Sequence, residues 1–204
     1  MILAAACLGL AIAQPANAQL YGGPGTERAG FEPGDTSKMG EWQILALSPS
    51  AGKDAWVSQS MKEDRLAGYN DALYRCNNTL KRMKLPQRDC VAFASKEWVA
   101  SYYCREGKGA NFGEGATPAI AMNKAIEAAG DSKYCEFKAV RGPGHGMELM
   151  TKPWQVTCSC GAVNKPQRVQ GWEKVDSAVL GVNNAYTDCR GKGRFQVVEL
   201  SLAP

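Results

Sequence analysis

Three tryptophans, Trp42, Trp98 and Trp154, stand 56 residues apart, one interval after the other. A fixed period of this length marks a chain built from repeated structural units, and it limits the available folds more than any single motif. Each Trp opens an apolar run with strand character: Trp42–Ser48, Trp98–Cys104 and Trp154–Cys160. Six residues after each Trp comes a small Ser or Cys. A turn containing Gly or Pro follows, then a second short strand, expected at Asp54–Ser60, Ala110–Gly115 and Arg168–Lys174.

A helix comes next in every unit. The first has a capping box at Ser60-Met61-Lys62-Glu63, in which a hydroxyl and a carboxylate satisfy two opening N–H groups. The second opens with Thr117-Pro118, a cap residue followed by Pro at the first helical position. The third opens at Asp176. The apolar stripes are Leu66, Tyr69, Leu73, Cys76, then Ala119, Met122, Ile126, Ala129, then Val179, Val182, Tyr186, Cys189. All three keep the same helical spacing, which defines one buried face. A last strand closes each unit: Cys90–Ala94, Cys135–Val140 and Phe195–Leu200. The expected fold class is therefore α+β: three β-β-α-β repeats, with helices packed on antiparallel sheet. The repeats span residues 41–97, 98–152 and 153–204. The first carries a Lys- and Arg-rich insertion, Asn77–Asp89, and the second ends in a flexible joint, Arg141–Gly146.

The N-terminal stretch reads differently. Residues 1–13 are apolar and too short to span a bilayer. Ala16-Asn17-Ala18 follows as a small-x-small cleavage site, so residues 1–18 are expected to be a signal peptide. The run has no Lys or Arg before it, and Cys7 is read as a bystander within it rather than as a lipid-bearing residue. Residues 19–40, rich in Gly and Pro, are expected to form an arm without a core. No second stretch is long and apolar enough to be a transmembrane segment. The net charge is +4 with scattered Lys and Arg, which excludes the basic stripe of a nucleic-acid binder.

The opening Trp strand, the Ser48-Pro49 turn, the Ala-rich helix ending in Cys and the closing strand that begins with Cys together resemble a bacterial family of exported, cysteine-containing domains. The resemblance runs from Glu41 to Arg141, with the third unit as an extra copy. It implies a periplasmic or secreted protein. Some related envelope lipoproteins, in bacteria that kill rivals by type IV secretion, look like immunity proteins.

Seven cysteines follow the cleavage site. In an oxidising compartment such a set reads as disulfides. Aligning the units pairs Cys76 with Cys90 and Cys104 with Cys135. Cys189 pairs with Cys160 or Cys158, which point to the same side of a strand. Cys160 is preferred, and Cys158 is left odd. The alternative use of the odd thiol is a metal site of His145, Cys158 and Cys160, with Met147 and Met150 near, a soft ligand set suited to copper(I).

Catalytic chemistry finds little support. The chain has one histidine, His145, flanked by glycines, and a Ser-His-Asp or Cys-His site would have to use it. Glu114, Glu173 and Asp54 read as solvated surface rather than as paired acids. The glycine pairs Gly107-x-Gly109 and Gly142-x-Gly144 lack the strand-to-helix setting of a phosphate loop. Asn70, Asn123 and Asn183 recur at one helical position. They read as register-fixing side chains bonded to a neighbouring strand, with a shared polar site as the other option. The sequence thus predicts a non-catalytic exported binding protein with no cofactor and a protein partner, either an envelope protein or an exported hydrolase that it inhibits. A structural component of envelope assembly is the alternative. Candidate partner contacts are Trp56 and Trp172 on second strands, and Arg82, Lys84, Arg88, Lys108 and His145 on the loops Asn77–Asp89, Gly107–Gly109 and Arg141–Lys152.

Overall fold

The computed structural model describes residues 41–52, 56–61, 64–145, 152–161, 163–169, 177–189 and 193–202. The predicted signal segment, the arm and Trp172 lie outside them. Within them the chain forms β1 (Trp42–Leu47), β2 (Trp56–Met61), α1 (Arg65–Arg82), β3 (Val91–Ser95), β4 (Trp98–Glu106), β5 (Ala110–Gly115), α2 (Pro118–Ala129), β6 (Lys133–Arg141), β7 (Trp154–Cys160), β8 (Val163–Val169), α3 (Ser177–Cys189) and β9 (Phe195–Leu202). The protein is mixed α+β. Its strands make three antiparallel three-stranded sheets, ordered β2-β1-β3, β5-β4-β6 and β8-β7-β9. The strands that open with Trp42, Trp98 and Trp154 are the central ones. No helix among the described residues is long and apolar enough to cross a membrane.

The sheets stack through alternating faces. On β1, Ile44 and Ala46 face α1, while Leu45 packs with Val99 of β4 and Ala139 of β6. The first and second sheets thus meet back to back, with Phe93 and Phe112 stacked at 5.8 Å beside that contact. The other face of β4, with Ala100, Tyr102 and Cys104, turns toward the third sheet. There it shares one continuous core with α2, α3 and Trp154, Val156, Cys158 and Val197. Two-sided burial is why β1 and β4 read as unbroken apolar runs, whereas β7 alternates buried Trp154, Val156 and Cys158 with half-buried Gln155, Thr157 and Ser159. Alanines along α2 let it lie directly on β5. A Cβ added at Gly113 would stand 2.2 Å from the Ala121 carbonyl oxygen, so only glycine permits this approach.

Two asparagines join the second and third sheets. Asn123 on α2 donates to the Val197 carbonyl at 2.7 Å and accepts from the Val197 N–H at 2.9 Å. Asn183 on α3 does the same to Phe137, at 3.0 and 2.8 Å. Each side-chain amide stands in for a missing strand neighbour on the outer edge of β6 or β9. Both strands carry one extra residue immediately afterwards: Lys138 and Val198 have no partner where the register shifts on β4 and β7. The exchange is reciprocal, helix of one sheet to closing strand of the other, so this contact has an approximate twofold character.

Three disulfides join Cys76 to Cys90, Cys104 to Cys135 and Cys160 to Cys189, one for each sheet and its helix. They draw on three recurring places: the end of the central strand (Ser48, Cys104, Cys160), one helix position (Cys76, Ala129, Cys189) and the start of the closing strand (Cys90, Cys135, Phe195). Each sheet bonds a different two of the three.

Several expected boundaries move. Ser60 does not cap α1, because β2 runs through it to Met61 to pair the whole of β1. Asp64 caps the helix instead, accepting from the Ala67 N–H at 2.9 Å. The basic insertion is partly helix, since α1 continues past Cys76 to Arg82. It ends in a left-handed Lys84 (φ 59°), with the Leu85 N–H donating to the Leu80 carbonyl. Thr117 does cap α2, with Pro118 at its first turn. In the third sheet the second strand is Val163–Val169, well before the expected Arg168–Lys174. A tight turn at Gly161 (φ 62°) starts it early, and Pro166 is tolerated because β8 is an edge strand. The supposed joint at Arg141–His145 is buried, with Gly142 against the Trp98 ring and a bridge from Gly142 to His145.

Replacing Asn123 or Asn183 by Ala strands a peptide N–H and C=O between the two sheets. Each change should lower stability by about 2 kcal/mol, a loss typical of part-buried backbone groups left without partners. Urea unfolding midpoints at unchanged slope will test this. A loss near zero for both variants would refute the bridging role of these side chains.

Candidate functional site

The helix ends of the second and third sheets frame an open cleft of about 600 Å³, within the usual size range of ligand sites. On one side α2 stops at Gly130, whose left-handed conformation (φ 59°) no side chain favours. Asp131 and Ser132 then turn the chain into β6. Ser132 donates its hydroxyl to the Ala129 carbonyl at 2.7 Å and accepts the Lys108 N–H at 3.0 Å. On the other side stand Cys189, bonded to Cys160, and Arg194, whose carbonyl accepts the Gly161 N–H at 3.0 Å. Disulfides therefore anchor both walls.

The floor is aromatic. Tyr186 meets Phe195 edge-on at 5.1 Å and Tyr102 at 6.5 Å, and Tyr102 lies 4.5 Å from Phe137. Burial, reinforced by Tyr186, raises the Tyr102 pKa. Its phenol stays protonated and does not serve as a base. The rim carries Glu127, Asp131 and Arg194. Arg194 and Glu127 approach to 4.0 Å while both remain exposed, so their mutual attraction is weak and either can turn to an incoming group. A second depression of about 540 Å³ shares the Ala129–Ser132 wall and continues past Glu106, Lys108 and Lys133. The first cleft is a groove of mixed charge, and the second depression lies against the same wall.

The candidate contacts taken from the sequence do not converge on this groove. Lys108 borders the second depression, but the ammonium donates to the Ala128 carbonyl at 3.0 Å, where it complements the C-terminal end of α2. Arg82, the last residue of α1, and Lys84 and Arg88 beyond it are exposed. Arg82 donates to the Thr79 hydroxyl, and Arg88 to the Leu85 and Gln87 carbonyls. Trp56 opens β2 opposite Leu47, and its side chain, like all of Trp172, lies outside the described residues. His145, expected on a partner-facing loop, is instead 4% exposed. Its ring stands 5.1 Å from that of Trp98 and 6.5 Å from that of Trp154.

The ligand set His145, Cys158 and Cys160 does not survive as a thiolate site. Cys160 is in a disulfide, and burial pushes the Cys158 thiol up to about 12. Cys158 occupies the strand position that Tyr102 occupies in β4, and it packs as a small apolar residue of the shared core. The groove residues Glu127, Asp131 and Arg194 were not singled out from the sequence, and Tyr186 was read only as part of a buried helix face. The one available signal was Gly130 after an alanine-rich helix, which marks a helix end but not what gathers around it.

Asp89 is a further charged group in a fixed setting. Its carboxylate accepts the Ser48 hydroxyl at 2.7 Å and the Ser50 N–H at 3.0 Å, tying the approach of β3 to the turn after β1. Burial opposes ionisation here, but the hydrogen bonds from Ser48, Ser50 and the backbone outweigh it and hold the pKa below 3.8. Comparison with protein-family models, with curated proteins and with solved structures finds no match to this chain.

Two outcomes follow from these environments. In native, unreduced protein, iodoacetamide should leave Cys158 unmodified, and unfolding in guanidinium should expose it to complete labelling, read by peptide mass spectrometry. Labelling of Cys158 in the native state would contradict its placement. The depressed Asp89 pKa contributes stability that is present above its unfolded value and lost as pH falls through the folded one. Asp89→Asn should therefore lower the melting temperature near neutral pH. It should also flatten the acid limb between about pH 5 and pH 2 relative to the parent, as measured by thermal melts across that range.

Proposed function

We propose that this chain is an exported, non-catalytic binding protein of the bacterial envelope, with a protein partner seated in the groove between its second and third units. The observation that carries this reading is the groove itself. It is open, aromatic below and charged above, and its walls are anchored by two disulfides. A pre-ordered surface of this kind suits a loop from another protein, because little conformational entropy is lost on binding. The resemblance over Glu41–Arg141 supports the direction: an inhibitor or immunity protein against an exported hydrolase. The burial of the single histidine between two tryptophans, away from the groove, supports a binding role over acyl-transfer chemistry. Three disulfides are consistent with an extracellular location, and the cleavage site after Ala18 supports export.

In this reading the three units are copies of one β-β-α-β module. The support is the common strand order, the bonds drawn from the same three places, and Asn70, Asn123 and Asn183 at one helical position. Repetition supplies a rigid frame, and the bends at its helix ends supply the variable contact surface.

The purified protein should capture a hydrolase from envelope extract and suppress its activity. Asp131→Lys and Arg194→Glu, both on exposed bends, should weaken that capture at least about tenfold by reversing rim charges. A captured enzyme that is bound equally by both variants would move the interface away from the groove. Tight metal uptake with no protein captured would overturn the reading.

A further inference from the structure

The first unit has the parts that join the second and third units, but nothing among the described residues occupies them. Leu66, Asn70 and Tyr74 follow one another at four-residue intervals along one stripe of α1. Their counterparts on α2 are Ala119, Asn123 and Glu127, and on α3 they are Val179, Asn183 and Thr187. On α2 and α3 this stripe lies in the contact between sheets, with Ala119 and Val179 buried in the shared core. On α1 Leu66 is 68% and Tyr74 66% exposed, and Asn70 is exposed between them. The receiving strand is open as well. Ala92 faces Ala46 across β3 and β1 as Phe137 faces Tyr102 across β6 and β4. β3 is an edge strand, and Val91 next to Ala92 is 42% exposed.

We propose that this face of α1, with the outer edge of β3, is a docking surface whose occupant is the same face of a second copy of the chain. The internal contact between the second and third units is the template. It is reciprocal: each helix gives an asparagine to the other sheet's closing strand and receives its own strand's partner in return. A unit that carries both the asparagine and the receiving edge is therefore complementary to itself, which is the requirement for a twofold dimer. Asn70 of one copy meets the Ala92 peptide of the other, while Leu66 and Tyr74 cover the apolar ends of the stripe. Beside the stripe, Asp71 and Arg75 pair with each other at 2.8 Å, so unbalanced like charges do not meet across the axis. The stacking order continues without interruption: the first and second sheets are back to back, the second and third share a core on their helix sides, and the first unit's helix side is taken by its twin. β3 lacks the extra residue found in β6 and β9, so its edge runs straight under the incoming asparagine. This assembly does not depend on what the groove binds.

Sedimentation velocity on the full chain, from about 1 to 100 μM, should show a concentration-dependent dimer. Leu66→Glu and Asn70→Lys change exposed side chains, so each should leave the circular dichroism spectrum of the monomer unchanged. Each change occurs twice in a symmetric dimer. A tenfold loss per contact therefore raises the dissociation constant about a hundredfold. Tyr134→Glu, an exposed aromatic outside this face, should leave the dimer intact. A parent chain that stays monomeric throughout would overturn the proposal. So would residues 1–40 protecting α1 from hydrogen exchange in a monomer, or a dimer that survives both α1 substitutions.

Discussion

A three-stranded sheet with one helix upon it buries too little apolar surface to be stable alone, and its outer strands expose peptide groups that no neighbour satisfies. This molecule meets both constraints with the same device. An asparagine from each of α2 and α3 bonds the N–H and C=O of one residue on the other sheet's edge. The edge is capped without a fourth strand. Capping also brings the helix faces together, so two small cores merge into one that contains Trp98, Phe137, Trp154 and Val197. The extra residues Lys138 and Val198 sit directly beside the bonded peptides, where such a bulge bends the strand locally. The cleft, the aromatic floor and the paired helix ends all follow from this contact.

The elements of the fold were legible where local chemistry and packing agree. The central strands announce themselves by Trp and an apolar run, and Thr117-Pro118 starts a helix in sequence and structure alike. Legibility failed where pairing across a sheet overrode a local signal. Ser60 looks like a cap, but β1 needs a partner along its full length, and Asp64 is an equally good cap four residues later. Pro166 looks like a strand breaker, yet on an outer strand its missing N–H costs nothing. The groove was invisible for a different reason. Glu127, Asp131 and Arg194 are ordinary surface residues until a helix end from one unit and a strand start from another are brought side by side. His145 was misread because its flanking glycines suggested freedom. In the structure Gly142 is a condition of close packing: its lack of a side chain lets the turn lie on Trp98.

Function follows from how the faces are distributed. The second unit is covered on both sides, so its sheet offers little to a partner. Among the described residues, the ends of α2 and α3 and the outer face of α1 stay open. The two openings differ in chemistry, the first charged over aromatic rings, the second apolar around one amide. A protein built this way can hold two kinds of contact without either disturbing the other, because the back-to-back layer of Leu45, Val99 and Ala139 stands between them.

The disulfides join cysteines 14, 31 and 29 residues apart, and no bond crosses from one unit to another. In a chain that emerges from its N-terminus, every bond can therefore form before the cysteines of the following unit arrive. Among Cys76, Cys90, Cys104 and Cys135, pairing each cysteine with the next one in the chain already produces the first two bonds. Ambiguity arises only at the last step, where Cys189 must choose between Cys158 and Cys160. Packing makes that choice. Once the Cys158 side chain has entered the core shared with the second unit, only Cys160 remains available, so the joining of the two sheets acts as the proofreader of the final bond.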